Sequence, residues 1–286
     1  ARVPVTGCGR DAKMLTNDWL TDAVLYIYAL SLLFFVSDAA YGKRNGRRIG
    51  TGLLVFVWIL QTAFLLDLLV NRFAVPKVTL QEYVFFVSWL LVSLSLIIHR
   101  FMRAELLVLL VNAVGFAVLG LNLLERPQKQ IALAPGEVAH RLLVVHISLI
   151  TLAFVMLTLS AILCGMHLFL DNRLKRKKWG AFMNRMPSLE TIDRYAFRTG
   201  VVGVPLLLLA LSTGTAALLV EGRYSDLLDE KVLLSFVAGA IYVFYLLRRV
   251  THRVDGAKIA RWNWAGYALL VADFFANSLS SFHRWV

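Results

Sequence analysis

Eight apolar runs, at about 19–41, 50–70, 80–98, 105–124, 138–170, 197–220, 231–247 and 263–284, constrain this chain more than any motif in it. Most reach or approach the roughly 20 residues that a helix needs to cross a ~30 Å hydrocarbon layer. Lipid offers backbone N–H and C=O groups no water, so such runs fold as helices whose hydrogen bonds close within the segment. The seventh run is the shortest. The fifth is the longest and is expected to continue as a helix beyond the membrane, into DNRLKRKK. With 59% hydrophobic and 17% charged residues, the chain is too apolar for a water-soluble domain or a disordered segment. Eight spans with short loops use up its 286 residues. The expected fold is an all-α integral membrane protein, one bundle of about eight transmembrane helices with no soluble catalytic domain.

The net charge of +12 does not point to nucleic acid, because the basic residues sit in short loops between apolar runs. Four loops carry 4, 2, 8 and 5 Lys/Arg: GKRNGRRI, HRFMRAE, residues 171–198 and RRVTHRVDGAKIAR. The other three, 71–79, 125–137 and 221–231, carry two each. Basic loops stay in the cytoplasm, so this alternation predicts both termini on the outer face. Residues 1–13, ARVPVTGCGRDAK, lack the apolar core of a signal peptide and read as an upstream extension, with Met14 as a plausible start. The expected membrane domain is 14–286.

No Ser-His-Asp set, phosphate-binding loop, dinucleotide turn or metal-hydrolase motif appears, and no enzyme is expected. Cys8 and Cys164 form no redox or zinc pattern, and Cys164 reads as a packed core thiol. Asp38 and Glu82 fall near run ends, where water is in reach. Asp67, Asn112, Asp273 and Asn277 are the candidate lining of a polar path. Gly115 and Gly120 read as close-packing positions, and Gly203 with Pro205 as a kink in the sixth span. No internal repeat is evident.

Position sorts the six histidines. His99 and His252 border basic loops, and His167 lies near the inner end of the fifth span. His140, His146 and His283 fall on the outer side. Six residues of ideal helix turn His146 about 240° from His140, so those two do not share a face. His146 and His283 come from different helices at similar depth. Such a pair either packs between helices as a satisfied structural histidine or clamps one iron from opposite sides, as bis-histidine haem ligation requires.

Several segments are similar to the HemX-type membrane proteins of bacterial haem biosynthesis loci, within the wider cytochrome c assembly (CcsA/ResC-like) superfamily. They include LYIYALSLLFFVSD, VFVWILQTAFLL and FAVPKVTLQEYVFFVSWLLVSLSLI. In the last, Leu80, Glu82, Phe86, Ser88 and Trp89 match a CcsA stretch. LLVVHISLITLAFVMLTLSAIL resembles the CcsA helix that begins His-Val-Ser, and SLSSFHRW resembles the CcsA ending. The resemblance implies haem binding, taken as b-type, with His146 and His283 as axial ligands and Trp89, Asp229 and Lys231 around them. It also implies a link to haem biosynthesis and cytochrome c maturation, and control of glutamyl-tRNA reductase.

The chain departs from the CcsA pattern between the two histidines. The family has a tryptophan-rich segment there; EGRYSDLLDEK has no tryptophan, although Asp229 and Lys231 keep the family's Asp and Lys spacing and Tyr224 is aromatic. A further family histidine near the end of the seventh span is leucine here, at Leu246 and Leu247. The longest inner loop, 171–198, begins as a basic stretch with Trp179 and Phe182, suited to anionic headgroups. PSLETIDRYAF then reads as a short amphipathic helix entered at Pro187. This loop is the expected docking surface for a cytosolic partner, glutamyl-tRNA reductase by the resemblance. Two other functions compete with haem binding: a haem or small-molecule transporter, and a ligand-free regulatory adaptor acting through 171–198.

Overall fold

A computed structural model describes residues 8–41, 44–71, 80–101, 105–121, 137–177, 186–251 and 256–276. Among these, eight α-helices account for almost everything: α1 Cys8–Tyr41, α2 Arg44–Asn71, α3 Leu80–Phe101, α4 Glu105–Gly120, α5 Glu137–Lys175, α6 Leu189–Val220, α7 Glu230–Thr251 and α8 Gly256–Ala276. A 3-10 turn, Tyr224–Leu228, joins α6 to α7. Each helix falls on one of the eight apolar runs. Helix α1 begins at Cys8, so helical backbone already runs through much of the segment read as an extension. Helix α5 continues past the apolar run to Lys175, as its sequence predicts.

Six helices, all but α4 and α8, contain stretches long and apolar enough to cross a membrane. Among the described residues α4 is the shortest helix, with 16 residues, while α7, on the shortest apolar run, extends to 22. Large apolar side chains such as Ile59, Leu66, Leu209 and Leu247 point outward, while Gln61, Ser88, Asn112, Thr158 and Asn263 are buried. Water would drive the opposite arrangement. In lipid it is favourable, because polar side chains find partners only between helices. The protein is a multi-pass α-helical membrane protein.

The helices form two four-helix units of the same plan. In the first, α1 packs on α2 and α4, and α3 on α2 and α4; in the second, α5 packs on α6 and α8, and α7 on α6 and α8. The units share a core, because buried Val155, Leu163, Ile192 and Ala260 of the second cluster with Val24, Leu91 and Val111 of the first. The fourth helix of each unit carries the same pattern: Asn112-x-x-Gly115-Phe116-Ala117-x-Leu119 and Asn263-x-x-Gly266-Tyr267-Ala268-x-Leu270. Asn, Gly and Leu are buried in both copies, and the Ala is exposed in both. Each Asn lies seven residues after its helix start, at Glu105 and Gly256. The two units thus share one packing order and a short matched segment in their fourth helices.

The matched asparagine ties its unit together. The Tyr28 hydroxyl of α1 donates to Asn112 Oδ1 at 3.1 Å, and the Asn112 amide donates to Ser95 of α3. In the second unit the Asn263 amide donates to Ser160 of α5 at 2.9 Å. Gly115 lets Tyr28 approach; a Cβ there would lie 2.6 Å from the Tyr28 hydroxyl. Gly120, expected to act alike, has nothing within 4 Å of such a Cβ. Among the described residues, none comes close enough to Gly120 to need the missing Cβ.

Candidate functional site

His146 lies nine residues into α5, about 14 Å along it at 1.5 Å per residue. Its Nδ1 is 2.6 Å from the Ala210 carbonyl oxygen of α6. A carbonyl only accepts, so Nδ1 carries the proton and the lone pair of the neutral ring sits on Nε2. The ring fits against α6 because residue 214 is glycine: a Cβ there would stand 2.7 Å from Nδ1 and 2.8 Å from Cε1. Gly214 is a site residue that sequence reading passed over. It lies in STGTAA, whose hydroxyl side chains fold back on their own helix, Thr213 to Leu209 and Ala210, and Thr215 to Leu211.

The ends of α7 and α8 complete this region. Asp229 Oδ1 accepts the Lys231 backbone N–H at 3.0 Å and so caps α7. One turn further, the Ser235 hydroxyl donates to Asp273 Oδ1 of α8 at 2.9 Å. Lys231 and Ser235 are four residues apart and share a helix face, so the Lys231 side chain lies on the side turned to α8. The structure thus sets His146 against Ala210 and Gly214 of α6, and gathers Asp229, Lys231, Ser235 and Asp273 where α7 meets α8.

Trp89 goes elsewhere. Its indole N–H donates to Thr62 Oγ1 at 2.9 Å, and its ring stacks on Phe86 at 5.8 Å. That places it in the α2–α3 seam of the first unit. His283, Asn277 and His252 lie outside the described residues, as do Trp179 and Phe182; the side chain of His140 is likewise not described.

The opposite ends of the units, which bear the basic loops, hold two further polar nodes. In each, the helices converge on an arginine–carboxylate pair beside a histidine. The first joins Asp38 of α1, Arg47 of α2, His99 of α3 and Glu105 of α4, with Arg47 paired to Glu105. The second joins His167 of α5, Asp193 of α6 and Arg249 of α7 against Gly256 of α8, with Arg249 paired to Asp193. The first node corrects one expectation: Asp38 is buried rather than open to water, as is Glu82 at the far end of α3, while His167, near the inner end of its span as expected, is 6% exposed. Gly256 again makes room: a Cβ there would lie 2.9 Å from His167 Nε2. Ser188 does cap a helix, its hydroxyl accepting the Thr191 N–H at 3.3 Å. That helix is no separate short element, however, because it runs on as α6 to Val220.

Arg249→Ala is expected to lower stability by about 1–3 kcal/mol, less than the roughly 3–5 of a fully buried pair, since 32% of the Asp193 side chain remains exposed. Thermal unfolding in detergent measures this, and Arg249→Lys should recover part of the loss.

Residues 77–283 match the cytochrome c assembly protein family, a segment that holds both His146 and His283. Protein HemX of Brevibacillus brevis is 38% identical over 93% of this chain and 98% of its own length. Protein HemX of Bacillus subtilis is 34% identical over 92% and 96%. The chain belongs to the cytochrome c assembly family, as a HemX-type member. Inner membrane protein YpjD of Escherichia coli K12 is a more distant relative, 30% identical over 48% of this chain and 51% of its own. Within this HemX-type chain, the family segment begins just before α3 and so takes in part of the first unit and all of the second.

Proposed function

We propose that this HemX-type protein binds haem between His146 and His283, on the side of the membrane away from the basic loops. The observation that carries the reading is the His146–Ala210 hydrogen bond. A histidine that ligates metal through one ring nitrogen commonly donates its other N–H to a carbonyl or carboxylate, which fixes tautomer and orientation. Here Nδ1 is held at 2.6 Å and Nε2 keeps its lone pair. When bound, haem would supply an iron that takes a neutral imidazole nitrogen. The chain's own part is to hold the ring still, through Ala210 and the space left by Gly214.

By the charge asymmetry, the basic loops are cytoplasmic and both termini outside, in the bacterial inner membrane. The exposed Arg173, Lys175 and Arg176 that end α5 and the exposed Arg194 and Arg198 of α6 then face the cytosol, and suit a partner-docking role in control of glutamyl-tRNA reductase. The chain acts in this reading as a haem-responsive protein linked to haem biosynthesis and cytochrome c maturation, not as an enzyme. The transporter reading finds less support: Asp67 is exposed, while Asn112 and Asp273 lie in different units.

The test is the visible spectrum of the purified protein with added haem, oxidised and reduced. Wild type should give a six-coordinate low-spin spectrum, lost in both His146→Ala and His283→Ala. A wild type that binds no haem, or equal binding without either histidine, sinks the proposal and moves attention to the 171–198 loop.

A further inference from the structure

We propose that the seam between α7 and α8, at the end that bears the basic loops, binds the headgroup of an anionic phospholipid, with Arg248 receiving its phosphodiester. Three side chains from the two helices are joined there by direct contact. The Arg248 guanidinium lies over the Phe244 ring, 5.2 Å from its centroid. Phe244 in turn meets the Trp262 ring of α8 edge to face at 4.8 Å. All three are exposed, Trp262 by 46%. The next residue, Arg249, turns inward to Asp193 instead. Of two adjacent arginines, one fastens the bundle and the other lies on its lipid-facing surface. A long arginine at a membrane edge ordinarily reaches along its stem toward water. Contact with Phe244, one turn back along α7, keeps this guanidinium lower, against an aromatic face. The helix segments on either side of the seam, 242–251 and 256–272, carry four Lys/Arg and no Asp/Glu, a balance complementary to an acidic headgroup.

The chemistry of each group suits a lipid. A guanidinium presents a planar fork of donors that two phosphate oxygens match. Tryptophan is at home where headgroups meet acyl chains, with an apolar body and an N–H to donate. Ala240 lies four residues before Phe244, and Ala265 three after Trp262, so both fall one turn nearer the membrane centre; both are exposed. Side chains this small leave room beside the rings for an acyl chain. Phosphatidylcholine offers the same phosphodiester, but its quaternary ammonium cancels the charge. The same stacking occurs on α5, where Arg173 lies over Phe169 at 5.2 Å, yet among the described residues no ring of a second helix joins that pair. Arg173 is therefore a control matched in charge and in stacking. The bland alternative is a delocalised attraction between all the cations of this end and an acidic membrane surface. It predicts that Arg248 and Arg173 count alike.

The experiment follows tryptophan fluorescence of the purified, haem-free protein in mixed micelles, quenched by phosphatidylglycerol or phosphatidylcholine brominated near the top of the acyl chains. Wild type should prefer phosphatidylglycerol about fivefold or more, the scale of one basic side chain at an anionic surface. Trp262→Phe should remove most of the selective quenching, which places the bound lipid at this seam. Arg248→Gln should bring the preference close to unity. Phe244→Leu should lower it about twofold or more although no charge is lost, because the guanidinium is no longer held over a ring. Arg173→Gln should leave it almost unchanged. A thermal melt of each variant confirms that it is folded. A wild type without preference overturns the inference. So do equal losses in Arg248→Gln and Arg173→Gln, in favour of the delocalised attraction, and selective quenching that survives both Trp262→Phe and Arg248→Gln. With no haem present, each of these outcomes leaves the His146 reading untouched.

Discussion

Gly214→Ala should cost the protein its haem affinity while leaving its helices intact or slightly more stable. The two effects have opposite signs because they arise in different places. Alanine is favoured over glycine in a helix interior by about 1 kcal/mol, so α6 itself gains. The added Cβ, however, would stand 2.7 Å from His146 Nδ1, closer than any relaxed contact, and both atoms belong to packed helices. The imidazole must swing away, and the 2.6 Å bond to the Ala210 carbonyl is lost with it. Loss of such an orienting bond typically lowers metal affinity about 10–100-fold. Haem titration should show that drop, with a rising high-spin fraction, while circular dichroism and the melting temperature hold. Gly52→Ala is the control, since nothing lies within 4 Å of a Cβ at that position. If Gly214→Ala binds haem as tightly as wild type, with an unchanged low-spin spectrum, the His146–Ala210 contact does not orient an iron ligand.

Gly214 also shows where the sequence stops being legible. The helices could be read because length and apolarity are local properties, and so could the extension of α5 to Lys175. His146 could be singled out because it lies toward the outer side of an apolar run, in a stretch that resembles the family's His-Val-Ser helix. Gly214 could not, since a glycine among small and hydroxyl residues looks the same whether it admits a ring from another helix or admits nothing. Gly115 and Gly120 make the point within a single helix: one receives Tyr28 and the other receives no one. Asp38 failed for a related reason. Its distance from the end of its run was visible, but the Arg47, His99 and Glu105 that gather around it come from three other helices. Trp89 sits at a family position, yet which way an indole turns in a bundle depends on the neighbour that offers an acceptor, here Thr62. The matched segment escaped notice because its four identical positions are dispersed through apolar sequence, and the shared burial of its Asn, Gly and Leu appears only in the fold.

That matched segment leads to the other large expected effect. Asn112→Ala should destabilise the protein markedly more than Asn263→Ala, by about 1–3 kcal/mol. The two changes are closely matched: same residue, same register in the fourth helix of a unit, and both side chains 0% exposed. The cavity left behind is therefore similar and largely cancels in the comparison. What differs is the set of partners stranded. Removing Asn112 takes the acceptor from the Tyr28 hydroxyl and a donor from Ser95, two groups that are themselves fully buried. Removing Asn263 takes a donor from Ser160, which still donates to the Ala196 carbonyl at 3.0 Å, and a hydrogen-bond neighbour from the Tyr245 hydroxyl, which keeps Ser160 beside it. Asn263 Oδ1 has no hydrogen-bond partner among the described residues, so loss of that oxygen leaves no donor unmet. Equilibrium unfolding in mixed micelles, or thermal denaturation followed by tryptophan fluorescence, would read the difference. Equal losses for the two variants would mean that the cavity, and not the hydrogen-bonded triad of Tyr28, Asn112 and Ser95, sets the stability of the first unit. A larger loss at Asn112 would make that unit the rigid frame against which the second unit, with its partly unsatisfied polar interior, holds His146.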